Sequence, residues 1–153
     1  MHSSNRISLS IPLLVGVGTT FGTIVVHALV VGMIIRIVRR DLQRGRVGVG
    51  FWADSAFVAN ATLLALVGHL VEMGLWALVF ELCGEFSDFA AAFYHSAVNY
   101  TTLGYGDVVM SARWKLLGPL EASDGMLMFG VSTALIFAVV QCLTQMRFGQ
   151  SDR

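Results

Sequence analysis

A run of seven residues, Thr101-Thr102-Leu103-Gly104-Tyr105-Gly106-Asp107, has the residue types and spacing to handle a bare cation. Gly104 and Gly106 allow backbone torsions that residues with a Cβ resist, so the chain can run extended with its carbonyls turned inward. Four such loops around an axis would replace a cation's water shell with carbonyl oxygens. A second set of reactive side chains lies within apolar sequence: His27, then His69 and Glu72, then Glu121 and Asp124. His69 and Glu72 are three apart and share one helix face, as do Glu121 and Asp124. Ionisable groups in hydrocarbon are expensive and tend to face protein or water. At about 100° per residue, Asp124 points away from Thr133 and toward the second apolar run, near the depth of His69. This predicts a polar cluster of Asp124 and His69, with Glu72 and Glu121 as further members, that titrates as a proton sensor. The competing reading is local. Pro119 suits a first helical turn, the helix dipole favours Glu121 and Asp124 there, and His69 bonds a backbone group. No catalytic constellation, metal-spaced Cys or His pair, or phosphate-binding loop is present.

The elements that must position these residues are apolar helices. Of 153 residues, 56% are hydrophobic and 13% charged, and mean hydropathy is +0.72. That composition marks an integral membrane protein. Formal net charge is zero, so no global basic surface suggests nucleic acid. Three apolar runs stand out: Ile11 to Ile35, ended by Arg36; about Ala56 to Phe80, ended by Glu81; and about Pro119 to Gln145. Each reaches the ~20 residues a helix needs to cross the bilayer. The piece from Phe86 to Tyr100 is too short to span. It reads as a re-entrant helix, tolerated at membrane depth when buried in protein or lining water. Ser87 is its expected N-cap, with Asp88 in the first turn.

Arg36, Arg39, Arg40, Arg44 and Arg46 crowd the connection between the first two runs, which the positive-inside tendency places in the cytoplasm. The N-terminus and the glycine loop then face outward, and the tail with Arg147 and Arg153 faces inward. Glu81, Glu85, Asp88 and Asp107 fall on the outer side, where they would concentrate cations. The arginines either fix topology or also meet anionic lipid. Trp52, Trp76 and Trp114, near the ends of runs, read as interfacial anchors. Gly18 and Gly22 form a small-xxx-small pair for close helix approach. The first run far exceeds the roughly 7–15 apolar residues of a signal peptide and reads as a retained span. Cys83 and Cys142 read as small packing residues at opposite faces. The sequon-like Asn60-Ala61-Thr62 and Asn99-Tyr100-Thr101 fall inside membrane helices and are discounted. His95 reads as a packing residue of the short helix.

The chain resembles the potassium channel pore family, whose filter reads T-T-V-G-Y-G-D; Leu103 stands in place of valine. The resemblance implies that the Thr102 hydroxyl and the carbonyls of Thr102, Leu103, Gly104 and Tyr105 hold K+, with Gly106 completing the filter. It implies support from Thr101 and from Asp107, whose partner would be the Tyr94 hydroxyl. Tyr105 would pack away from the pore. Val98 stands where some relatives carry a buried glutamate. Two-helix bacterial members have inner helices reading G-x-x-x-F-G-x-x-T-A, and Gly125, Phe129, Gly130, Thr133 and Ala134 keep that spacing. Gly125 would be the hinge that the polar cluster biases. Met126, Phe129, Thr133, Phe137 and Gln141 would line the cavity. Gly125 lies one residue closer to Asp107 than in those relatives, and Met110 replaces a common proline.

The expected architecture is an all-α integral membrane protein with three transmembrane helices, a re-entrant pore helix and a filter loop, assembled as a homotetramer. Residues 1–38 form an extra N-terminal helix, 39–55 a basic cytoplasmic loop, 56–146 the pore domain and 147–153 a short tail. The expected function is passive, K+-selective conduction across the cell membrane, with K+ as permeant ligand and no organic cofactor. The competing function is a non-conducting, pore-like subunit or sensor working through a partner. A transporter fits poorly, because such chains usually carry four loops and one filter glycine. No arginine-every-third-residue helix marks a voltage sensor.

Overall fold

A computed structural model describes residues 9–45 and 50–149. It consists of α1 (Ser10–Gln43), α2 (Phe51–Leu82), α3 (Phe89–Tyr100) and α4 (Leu117–Gly149). Three of these, α1, α2 and α4, are long and apolar enough to cross a membrane. The fourth, α3, has 12 residues, about 18 Å of helix against ~30 Å of hydrocarbon.

The helices outrun their apolar cores. Hydropathy ends the first run at Arg36, yet α1 continues through Arg39 and Arg40 to Gln43. Arginine is a good helix former whose long stem lies along apolar surface while its head stays in water. Arg36, Arg39 and Arg40 are therefore helical and not part of a loop, as residues 39–55 were expected to be. Arg44 lies in the turn that follows. Arg46 and Arg153 lie outside the described residues. Likewise α2 starts at Phe51, ahead of the expected Ala56.

Two ends of α2 and α3 are set by local chemistry. After α2, the Glu85 N–H donates to the Phe80 carbonyl and the Gly84 N–H to the Glu81 carbonyl. Gly84 has φ +75°, so this is a Schellman cap with glycine at its left-handed position. The N-cap of α3 is Asp88, not Ser87: its backbone is extended, and its side chain accepts from the Ala91 N–H at 3.2 Å. Both residues suit the position, and the entry angle of the chain selects the one whose carboxylate meets the orphan donor.

The chain divides into two compact units. The first takes Met1–Val25 and Val71–Leu127, and the second takes Val26–Leu70 and Met128–Arg153. The first unit contains α3 and the glycine loop. Its core includes Trp76, Ala77, Phe80, Ala92, Tyr100 and Leu117, all fully buried. Within it α1 approaches α4 at Gly16, where a Cβ would come 2.4 Å from Leu120 Cδ1. Gly18 and Gly22, the expected approach pair, have nothing within 4 Å. They sit on a different face of α1 from Gly16. The second unit has an apolar centre of Ile34, Ala61 and Ala65, with Val30, Leu64 and Leu135 against it. There Gly68 lets α2 close on α1, its Cβ position lying 3.1 Å from Val30 Cγ2.

Candidate functional site

The glycine loop leaves α3 directly. The Leu103 and Gly104 N–H groups both donate to the Val98 carbonyl, at 2.9 and 3.2 Å, and Thr102 N–H donates to Asn99 O at 2.8 Å. Val98 thus anchors the loop through its backbone, while its side chain is buried. Beyond this tie, Thr102 has φ +59°, Gly104 +57° and Gly106 +72°. Left-handed residues at every second position turn alternate peptide groups over. Carbonyls that would point to opposite sides of a strand can then share one side. For the two glycines this conformation is free; for Thr102, β-branched, it costs roughly 1–3 kcal/mol. Among the described residues no backbone N–H donates to the carbonyls of Thr102, Leu103, Gly104 or Tyr105. These acceptors remain open on an exposed loop.

Two contacts hold the loop at its outer end. The Tyr94 hydroxyl donates to Asp107 Oδ2 at 2.7 Å. This bond draws the Asp107 carboxyl below its usual range and pushes the Tyr94 phenol above its own. Further along, Glu85 accepts from both the backbone N–H and the hydroxyl of Ser111, each at 2.6 Å. Of the acids expected to gather cations, Asp88 is thus an N-cap, Asp107 holds the loop and Glu85 ties down the segment after it. The Thr101 hydroxyl turns back to the Ala97 carbonyl at 2.6 Å.

Behind the loop, α3 is fastened to the long helices by buried polar contacts. Ser96 Oγ lies 2.8 Å from the Met73 carbonyl of α2 and 2.5 Å from Glu121 Oε1 of α4. The Tyr100 hydroxyl donates to Glu72 of α2. Asp124 Oδ2 accepts from the Thr23 hydroxyl of α1 at 2.7 Å and from the Trp76 indole N–H at 2.9 Å. Glu72, Glu121 and Asp124 are all essentially buried. Thr23 and Trp76 are partners of Asp124 that the sequence did not name. His69 belongs to the second unit, where Ser132 Oγ is 3.1 Å from its Nε2. Trp76 is not an interfacial anchor but a fully buried donor. Trp114 is also buried, under the Arg113 guanidinium at 5.1 Å, while Trp52 is exposed. His95 packs against Phe80 and Phe86 and lies 2.9 Å from the Asn99 amide.

Gly125 is a contact position in a continuous α4. A Cβ there would lie 2.1 Å from the Tyr100 carbonyl oxygen, so only glycine lets α4 reach the C-terminus of α3. Met126, Phe129, Thr133, Phe137 and Gln141 are each solvent-accessible on α4. Phe129 packs on the His69 ring at 4.4 Å, and the Thr133 hydroxyl returns to the Phe129 carbonyl.

Residues 68–141 match the protein family described as an ion channel. This segment is an ion channel pore domain. The family conducts ions and is not an enzyme, and the chain is a multi-pass membrane protein with an extra N-terminal apolar helix. Searches of curated proteins and of solved structures each returned no match. Sequence reasoning missed several parts of the pore domain's support: the left-handed Thr102, the Tyr100–Glu72 and Ser96–Glu121 bonds, and the Glu85–Ser111 tie. Buried Ser, Tyr and Glu in apolar sequence were the available signal, since such groups need partners. Glu85 and Ser111 carry no such mark.

Proposed function

We propose that the protein is a potassium-selective channel formed by four copies of the chain. Each supplies one loop from Thr101 to Asp107 as a quarter of the filter. The observation that carries this reading is the alternation of left-handed residues at 102, 104 and 106, with the carbonyls of Thr102, Leu103, Gly104 and Tyr105 unclaimed by backbone donors. Rings of such oxygens replace the hydration shell of K+. The negative end of the α3 dipole adds attraction on the same side.

Several exposed groups support assembly. Leu103 is 55% exposed, Tyr105 67% and Val109 75%. Val109 lines a groove of about 530 Å³ together with Val98, Gly104, Gly106 and Met110. A patch of this kind on a lone chain marks a protein interface, and neighbouring copies would fill it with Tyr105. The exposed face of α4, with Met126, Phe129, Thr133, Phe137 and Gln141, would then line the aqueous cavity. Gly125 would be the point about which α4 bends. The positive-inside tendency, applied to the arginines of α1, supports a cytoplasmic α1–α2 connection with the N-terminus and filter outside, in the cell membrane. Arg36, Arg39, Arg40 and Arg44 sit where anionic headgroups would meet them, at about 1 kcal/mol each.

The test is K+ flux into liposomes holding purified protein, compared with Na+ and with Ba2+ present. Barium-sensitive K+ flux that Gly104→Ala abolishes supports the reading. A stable tetramer without flux across pH and voltage overturns it and favours a non-conducting subunit.

A further inference from the structure

The second unit contains a buried group of side chains that conduction does not use. His27 on α1, His69 on α2 and Ser132 on α4 are 3%, 3% and 6% exposed. The ligand nitrogens of the two imidazoles lie within 4.8 Å of one another, and the ring centroids are 5.3 Å apart. Ser132 Oγ stands 3.4 Å from His27 Nε2 and 3.1 Å from His69 Nε2. Phe129 covers the His69 ring.

We propose that His27 and His69, with Ser132 Oγ as a weaker third ligand, form a binding site for a borderline-soft divalent metal ion of the Zn2+ type. Imidazole nitrogens are preferred ligands of such ions. In tetrahedral coordination, Zn–N bonds of 2.0–2.1 Å set neighbouring ligand atoms about 3.3 Å apart. The two Ser132 separations, 3.4 and 3.1 Å, bracket that edge length. The two edges that meet at Ser132 Oγ therefore already have tetrahedral length, and a water would complete the coordination. The metal would lower the pKa of that water to about 7. A bound hydroxide would then offset one unit of the ion's charge. Apart from the metal, Ser132 can donate to one imidazole and accept from the other, so the site is satisfied in both states. Each ligand comes from a different long helix. Metal binding would therefore staple α1, α2 and α4 and hinder any movement of α4 against the other two.

The experiment uses the purified, metal-stripped full chain in detergent, with Co2+ as the optical probe and Zn2+ as competitor. It does not depend on ion flux, so its outcome is separate from that of the channel reading. The expected result is an intense visible absorption of tetrahedral Co2+, saturating at about one ion per chain and displaced by Zn2+. It should be lost in His27→Gln and in His69→Gln, and altered but retained in Ser132→Ala. A weak spectrum like that of Co2+ in water overturns the proposal, as does an intense one that persists in the double His27→Gln/His69→Gln variant. If the histidine variants do not fold, X-ray absorption of the Zn2+-loaded wild type decides: two imidazole ligands support the site, and fewer than two overturn it.

Discussion

Replacing Gly125 by alanine tests whether the contact between α4 and the end of α3 positions the filter. The added Cβ would sit 2.1 Å from the Tyr100 carbonyl oxygen, 3.0 Å from its carbon and 3.1 Å from Cδ1 of the Tyr100 ring. Ordinary contact begins near 3.4 Å, so α4 must retreat by more than an ångström or α3 must shift. The obstacle is backbone, which cannot rotate away as a side chain can. Overpacking costs about 1–3 kcal/mol, and this site belongs at the upper end of that range. Alanine returns about 1 kcal/mol through helix propensity. The net loss is therefore about 2 kcal/mol, a drop of roughly 4–8 °C in Tm for a chain of this size. Gly18→Ala is the matched control: it meets nothing within 4 Å and gains only the propensity term, so its Tm should hold or rise. The assay is thermal unfolding of both variants in detergent, followed by K+ flux into liposomes. The displaced α3 carries the glycine loop, so Gly125→Ala should lower flux even where the protein remains folded. A Gly125→Ala variant as stable and as conductive as wild type would refute the reasoning.

Three further outcomes follow from the same contacts. Trp76→Phe removes the indole donor to the buried Asp124 and should destabilise the protein by about 1–3 kcal/mol, read by thermal unfolding; Thr23→Val, which removes a hydroxyl donor to the same oxygen, should act in the same direction, and additive losses in the double variant would argue against a shared acceptor. Asp88→Ala should cost about 0.5–2 kcal/mol while Ser87→Ala is near neutral; the reverse order in thermal unfolding would contradict the cap seen here. The Tyr94–Asp107 bond depresses the carboxyl pKa, so its contribution is present above the ordinary carboxylate range and is lost only as pH falls through the lowered value. K+ flux should therefore show no Asp107-linked change between pH 8 and about pH 5, and Tyr94→Phe should move the acid limit of flux upward; an unchanged acid limit in that variant would count against the bond.

The sequence alone determined what depends on composition and local order. Three apolar runs specify three long helices, because burying a backbone in hydrocarbon leaves few alternatives to helix. A short apolar piece followed by paired glycines specifies α3 and its loop. The Tyr94–Asp107 contact was legible because thirteen residues of helix and turn, read against the family pattern, fix both ends. Helix ends were less legible: arginine continues α1 past its apolar core, and the choice of Asp88 over Ser87 depended on the angle at which the chain enters α3. What only the tertiary structure decided is which buried polar groups meet. Periodicity gives the face on which Asp124 lies, but not that Thr23 and Trp76, far away in sequence, supply its donors. Small-residue spacing flags Gly18 and Gly22, while packing uses Gly16. A buried polar group must find a partner, but sequence names only the need. The partner is set by the rotation and translation of one helix against another, which many distant side chains determine together.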